Sequence, residues 1–406
     1  MTSPVDPRGR WFISYKREDK EEARRLTIAL NARGIPTWLD TSDLGHEPTH
    51  DALRAAIQDS GTAGALLLAT PRVSASSSIR LVEAPEILKR RRFDPSFQVL
   101  PIASDLEYND VAAAYGDAIA DHDLSKWNIY KTANGPLSHG DACEVARRIL
   151  ETRLRAVDRM LSDGEPLEVL LHTRERAPTS ASMALTIDWS SHFDPRHCEP
   201  ETWSDVLLPA LADVGSAVGR VTPQRSIVVS GLLGIPAAIA IGASFPTTRG
   251  IPMQWRQRAS DTLEQLWSLN VVPVSVRLSV HSESRDIEAR DIAVLLSVTG
   301  DVRPDFARTV HSLAPLRCLV DAWLDPFTRS LDAGEARAIA TAVSDAVRAA
   351  RSDYRATGRV HVFFAGPVGL AAMFGQLLNT FHEVATYEYE GSSDVPYRQA
   401  AIIVNR

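Results

Sequence analysis

Apolar residues in the first third of the chain come in short runs separated by amphipathic stretches. Trp11-Phe12-Ile13-Ser14-Tyr15 has the length and composition of a buried strand, and Ala23, Leu26 and Leu30 then mark one face of a helix ending near Gly34. Ile35 to Leu39 reads as a second strand, Leu53 to Ile57 as part of a helix, and Gly64 to Ala69 as a third strand. Ile79 to Lys89 follows as a helix and Val99-Leu100-Pro101-Ile102 as a fourth strand. Strands alternating with helices over short connections predict a parallel sheet covered on both faces, with ligands at the carboxyl ends of its strands. The loops after Ser14, Leu39 and Ala69 are therefore the ones to follow.

From Asp141 to Leu161 the positions Val145, Ile149, Leu150, Leu154 and Val157 keep helical spacing, and Ser162-Asp163-Gly164-Glu165-Pro166 ends that helix with turn chemistry. The polar stretch Thr173 to Ser182 contains Pro178 and marks a domain boundary there or slightly before. The division expected is a first domain over 1–125, a connecting helical segment over 126–165 and a second domain over 166–406. The last part contains a repeat. Ile227-Val228-Val229-Ser230-Gly231-Leu232-Leu233-Gly234 precedes a small-residue helix near Pro236, and Val362-Phe363-Phe364-Ala365-Gly366-Pro367-Val368-Gly369 precedes a similar one with Ala372 and Gly375. Upstream of each lies an apolar strand ending in small polar residues, Leu185 to Ser190 and Val294 to Thr299. Two matched strands per half predict two related α/β halves packed as one pseudo-symmetric domain.

Composition narrows the class. At 406 residues the chain exceeds one ordinary core, and 44% apolar with 23% charged residues is a globular composition. A net charge of −7 argues against general binding to nucleic acid or a membrane surface, while leaving room for a local basic pocket for one small anion. The first ten residues lack the apolar core of a signal peptide, and no stretch reaches the roughly 18 apolar residues of a membrane span. Cys143, Cys198 and Cys318 form no metal or redox spacing. The expectation is a cytoplasmic protein with no metal.

The stretch Phe12-Ile13-Ser14-Tyr15-Lys16-Arg17-Glu18-Asp19, then Gly34-Ile35-Pro36-Thr37-Trp38-Leu39-Asp40 and Asp43-Leu44-Gly45, resembles the Toll-receptor-type (TIR) domain. The match continues through Leu53-Arg54-Ala55-Ala56-Ile57 and Leu66-Leu67-Leu68 to Ser77-Ser78-Ile79-Arg80-Leu81-Val82-Glu83. The resemblance implies a flavodoxin-like domain that, in many bacterial members, cleaves the nicotinamide–ribose bond of NAD⁺ through a glutamate in a W-x-x-x-E pattern. That glutamate falls on Glu83, with Ile79 in the tryptophan position. Sugar-bond hydrolysis ordinarily uses two carboxylates, one protonating the leaving group. Nicotinamide leaves a cationic pyridinium as a neutral molecule, so one carboxylate that stabilises the oxocarbenium-like charge suffices. The competing reading of Glu83 is a solvated helix acid, as for Glu86. Ser14, Tyr15 and Lys16 are substrate-binding candidates against ordinary loop polarity, and Asp43 and Leu44 lie in a loop that in the family contacts substrate or a neighbouring subunit. Trp38 is expected in the core.

Ala184-Leu185-Thr186-Ile187-Asp188-Trp189, then Trp203 with Leu207-Leu208-Pro209-Ala210-Leu211, and the two G-x-x-G turns resemble a SAVED domain, two fused CARF-like α/β halves. The resemblance implies binding of a cyclic oligonucleotide made by a partner enzyme during phage infection. Glycines let backbone amides approach phosphate, and neither turn has the Lys-Ser/Thr of a nucleotide-hydrolysing P-loop. Asp188, Trp189, Ser190, Gly231, Leu232, Leu233, Ser297, Thr299, Gly366 and Pro367 are the binding candidates. For Gly234 and Gly369 close strand–helix packing is the preferred explanation. Arg249, Arg256 and Arg277 could pair with phosphate or be solvated.

The resulting expectation is an antiphage effector that binds a cyclic oligonucleotide, a cyclic trinucleotide first, forms a homo-oligomer or filament, and hydrolyses NAD⁺. NAD⁺ is its substrate and no cofactor is needed. The rival reading is a non-catalytic TIR signalling adaptor assembled by a nucleotide or protein partner; a third makes the C-terminal domain a protein-binding scaffold.

Overall fold

The computed structural model describes residues 5–38, 49–116, 128–178, 182–258, 264–391 and 393–405. The chain divides into two compact units, Met1–Ser162 with Pro178–Ile187, and Asp163–Ala177 with Asp188–Arg406.

The first unit contains β1 (Arg10–Ser14), α1 (Lys20–Asn31), β2 (Thr37–Trp38), α2 (Thr49–Gln58), β3 (Thr62–Ala69), a π-helical turn Ile79–Glu83 running into α3 (Ala84–Phe93), β4 (Gln98–Ala103), α4 (Asp110–Tyr115), β5 (Tyr130–Lys131) and α5 (His139–Met160). The sheet is parallel in the order β2-β1-β3-β4-β5. Every residue of the central strand β3 is buried, which is why Leu66, Leu67 and Leu68 can follow one another there: a parallel strand covered on both faces has no polar side. Trp38 packs in the core, stacked on Phe12 at 5.0 Å. The helix expected between the domains, α5, packs against α1 and belongs to this unit.

Next come β6 (Leu167–His172) and β7 (Leu185–Asp188). Residues 182–187 fold back with the first unit, where the Thr186 amide donates to the Gly34 carbonyl at 2.9 Å and Arg153 Nε donates to the Ala184 carbonyl at 2.7 Å. Gly34 has φ +82°, and a Cβ there would lie 2.7 Å from the Leu185 Cβ.

The second unit continues with α6 (Leu208–Val221), β8 (Ile227–Ser230), α7 (Ile235–Ser244), β9 (Met253–Arg258) and β10 (Glu264–Ser268), with strands ordered β10-β9-β8-β6. Its other half holds β11 (Leu278–Ser284), β12 (Asp291–Ser297), α8 (Arg303–Thr309), β13 (Leu316–Leu324), α9 (Ala333–Asp353), β14 (Val360–Ala365), α10 (Val368–Gly375), β15 (Glu383–Tyr389) and β16 (Tyr397–Val404), ordered β11-β13-β12-β14-β15-β16. The strand–turn–helix repeat is thus β8–α7 and β14–α10. Pro236 to Gly242 and Gly369 to Gly375 are buried throughout, so both helices are apolar all round.

These two helices pack on each other through glycine. A Cβ on Gly242 would lie 2.1 Å from the Ala372 carbonyl oxygen, and one on Gly375 would lie 2.3 Å from that of Ile239. Each glycine is the eighth residue of its helix, so the contact obeys the internal repeat. Gly242→Leu and Gly375→Leu should each cost about 3 kcal/mol or more by overpacking a contact with no room to yield, read as a lower unfolding temperature.

On β14, His361 is buried between strands, with Nε2 3.2 Å from Asp291 Oδ2 and Nδ1 2.7 Å from the Tyr387 hydroxyl. Burial lowers its pKa below the usual 6.5, against the pull of Asp291. The unfolded chain therefore takes up this proton near pH 6.5, whereas the folded chain takes it up only at lower pH. This group's contribution to stability should fall as pH drops through 6.5, by at most about 1.4 kcal/mol per pH unit. Denaturant titrations of His361→Gln should show a flatter pH dependence in that window; an unchanged slope would refute it.

Candidate functional site

In the first unit the rim of the sheet is closed by buried carboxylates. Asp19, in the turn after β1, accepts from the Thr70 hydroxyl at 2.6 Å and pairs with Arg72, joining the loops that follow β1 and β3. Glu22 accepts from the Leu137 amide at 2.8 Å and from the Ser104 hydroxyl, closing the end of β4. Ser14 is buried and its hydroxyl has no hydrogen-bond partner. Tyr15 is buried too, and Lys16 Nζ lies 3.7 Å from Glu18. Asp43 and Leu44 lie outside the described residues.

Glu83 ends the π turn after β3 and is 6% exposed, so it is not a solvated helix acid. The Ser78 hydroxyl donates to Oε1 at 3.3 Å. The buried Tyr115 phenol has its pKa pushed up by burial and then by the Glu83 charge, and its hydroxyl has no hydrogen-bond partner. Ile79, in the tryptophan position, is a core side chain and offers no stacking face. Glu86 is held differently: Gln58 Nε2 donates to it at 3.0 Å, and Arg54 and Lys89 lie 3.9 and 4.0 Å away.

In the second unit both G-x-x-G turns lead from a strand to a buried helix. Gly231 has φ +145°, and a Cβ there would lie 1.8 Å from the Leu171 carbonyl oxygen, so its place is dictated by backbone packing on β6. Thr173 braces this turn twice, its amide donating to the Leu232 carbonyl and its hydroxyl accepting from the Gly234 amide, both at 3.0 Å. Leu232 is exposed and Leu233 buried. In the other turn the Gly369 amide donates to Gln257 Oε1 at 3.2 Å, and a Cβ on Gly369 would meet Trp255 at 2.6 Å. Gly366 and Pro367 stay partly exposed.

The strand ends need correcting. Trp189 is fully buried and packs edge-on against Trp203 at 5.8 Å, so its ring is core and presents no face to a ligand. Ser297 is buried and accepts from the Val302 amide at 3.1 Å. Asp188 and Ser190 bond each other, Oδ1 accepting from the Ser190 amide at 3.0 Å and hydroxyl at 2.6 Å, while Oδ2 takes the Ala177 amide at 3.0 Å. The Thr299 amide donates to the Ala365 carbonyl at 3.0 Å, which joins the ends of β12 and β14.

The arginine at the turns is one that the sequence reading passed over. Arg174, two residues beyond β6, pairs with Glu388 on β15, and both lie against Gly234. Burial raises the pKa of Glu388, an effect Arg174 opposes, and Arg174 Nη1 has no hydrogen-bond partner. The rule that ligands meet the carboxyl ends of strands, applied to Leu167–His172, would have pointed to it. Arg256 instead pairs with Glu168 at 2.6 Å, Arg249 donates to the Ser244 carbonyl at 3.1 Å, and Arg277 is exposed. A cavity of about 610 Å³ is lined by His197, Glu199, Tyr389 and Arg398 together with Arg196 and Glu390, whose charges act on Glu388. A cavity of about 740 Å³ lies elsewhere, between α8 and the strands β11 and β13.

Residues 12–128 match the TIR domain family, and residues 211–403 match the SMODS-associated and fused to various effectors sensor domain, SAVED. Among solved structures, the Cap4 SAVED/CARF-domain containing receptor of Acinetobacter baumannii with the cyclic trinucleotide 3'3'3'-cAAA is similar at 12% identity and a TM-score of 0.51, over 95% of this chain and 98% of that one. The same receptor with 2'3'3'-cAAA gives the same figures. No curated protein shows significant similarity to the chain. The fold and the matches define a sensor domain fused to an effector domain. The effector is an N-terminal TIR domain and the sensor a C-terminal SAVED domain of CARF-like fold. Among the described residues no helix is long and apolar enough to cross a membrane.

Proposed function

We propose that this chain is a ligand-switched NAD⁺ glycohydrolase of antiphage defence, in which SAVED binds a cyclic trinucleotide, copies assemble, and TIR hydrolyses NAD⁺. The observation that carries the catalytic half is Glu83, a carboxylate held at the family's position yet withdrawn from bulk water. In such surroundings its charge acts strongly on the cation that develops at the ribose. The bond from ribose C1′ to the pyridinium nitrogen breaks with its electron pair staying on nicotinamide, water adds to C1′, and one proton is released. No general acid is required for departure. Ser14, Tyr15 and Lys16 would hold the dinucleotide. The sensing half is supported by the paired turns and by Arg174, whose charge suits a phosphate.

Assembly is the simplest means of control, because a complete site in a monomer would consume NAD⁺ without infection. A site completed by the neighbour's Asp43–Leu44 loop stays silent until copies meet head to tail, a contact that propagates into a filament. The ligand then favours the assembled state by mass action. The three cysteines, none in a disulfide, suit a reducing cytoplasm.

Glu83→Gln should cut ligand-stimulated nicotinamide release at least about a hundredfold, corresponding to about 3 kcal/mol or more of transition-state stabilisation, while ligand binding stays intact. Glu86→Gln, whose partners are Gln58, Arg54 and Lys89, should be mild. Near-normal turnover of folded Glu83→Gln would overturn the assignment of Glu83, whereas no ligand-stimulated nicotinamide release by the unaltered chain would favour the adaptor reading.

At saturating ligand, activity should rise more steeply than linearly with protein concentration below the assembly threshold, and Asp43→Ala with Leu44→Ala should abolish it. Light scattering that finds a fully active monomer would overturn the assembly mechanism.

A further inference from the structure

Glu83 closes a π turn, and the turn follows from the sequence. Pro85 is the second residue of α3, so it has no amide to offer the Leu81 carbonyl four residues back, and its ring crowds that carbonyl. The helix widens there, and the Ala84 amide bonds to the Ile79 carbonyl five residues back. The same pairing recurs in the second unit. The π turn Trp203–Leu207 runs into Leu208 and Pro209, and the Leu208 amide bonds to the Trp203 carbonyl. In both places a proline stands two residues beyond the turn.

Widening changes which side chains meet. At about 3.6 residues per turn, positions five apart in an α-helix lie about 140° apart around the axis and do not face each other. In a π turn the backbone bonds run from i to i+5, so positions five apart stand close to one above the other. Ser78 and Glu83 have that spacing, and the Ser78 hydroxyl donates to Glu83 Oε1 at 3.3 Å. This hydroxyl does not cap the helix end. Ser78 already has helical backbone, φ −61° and ψ −50°, and its side chain makes no capping bond. Ser76 takes that place, its hydroxyl accepting from the Ile79 amide at 3.4 Å. Arg80 ties the turn to its surroundings, Nε donating to the Tyr115 carbonyl and Nη1 to the Ser74 carbonyl, both at 3.3 Å.

We propose that Ser78 is a positioning residue for Glu83, brought over the carboxylate by the π turn that Pro85 imposes. The proposal rests on the NAD⁺-hydrolysis reading. A carboxylate stabilises developing charge only as far as its orientation is fixed beforehand, and the Ser78 bond fixes one oxygen of Glu83. At 3.3 Å the bond is long for a hydroxyl on a carboxylate, as catalytic hydrogen bonds often are before substrate binds.

The test is steady-state nicotinamide release by the full chain, activated with cyclic trinucleotides of adenylate, guanylate, cytidylate or uridylate. Ser78→Ala should lower kcat at least about tenfold and leave KM for NAD⁺ within about twofold, the loss of one hydrogen bond to a charged group. Ser78→Thr keeps the hydroxyl and should restore most of kcat. In a Glu83→Gln background, Ser78→Ala should not lower the residual rate further, whereas a role in holding the fold would cost the same in both backgrounds. Unchanged kcat in folded Ser78→Ala, or an equal loss with and without Glu83, would overturn the positioning role while leaving the assignment of Glu83 in place. If the unaltered chain releases no nicotinamide with any of these rings, the NAD⁺-hydrolysis reading falls first and the positioning role with it.

Discussion

The second unit depends on a backbone contact between two helices. At Gly242 and Gly375 neither helix can carry a side chain, because the neighbour's carbonyl oxygen occupies the space where a Cβ would stand. The two halves are consequently locked at equivalent points of their repeat, and each braces the other's turn. Gln257 of the first half takes the Gly369 amide, while Glu388 of the second half lies against Gly234 and pairs with Arg174. The Arg174–Glu388 pair is thus a contact shared by both halves.

Buried carboxylates are treated unequally, and the inequality separates structure from chemistry. Asp19 and Glu22 are tied to hydroxyl, amide or guanidinium donors that close loops at the end of the first sheet. Glu83 is buried as deeply, with the Ser78 hydroxyl on Oε1 and the Tyr115 phenol close enough to feel its charge. A carboxylate out of water needs compensation. At Asp19 and Glu22 that compensation organises the backbone. The groups that meet Glu83 include a serine hydroxyl and sit close to a buried phenol.

Local patterning was enough to recover most of the architecture. The period of apolar residues located the strands and helices of the first sheet, and the repeated strand–turn–helix segments announced two related halves, because both features arise from neighbours in the chain. The motif order from Phe12 to Glu83 was specific enough to point to one buried carboxylate. What tertiary structure alone decided are the contacts between distant segments. Trp189 and Ser297 end their strands as expected of ligand-facing residues, but packing from Trp203 and the amide of Val302 turns them into core. The helix His139–Met160 is amphipathic in any context, and only its contact with Lys20–Asn31 places it in the first unit. Arg174 and Glu388 are 214 residues apart, and the groups around His197 come from two segments nearly as distant. Periodicity records the side of an element that is buried; the charges and rings that meet across the fold depend on how the elements stack, and that is set by fits such as the one between Gly242 and Gly375.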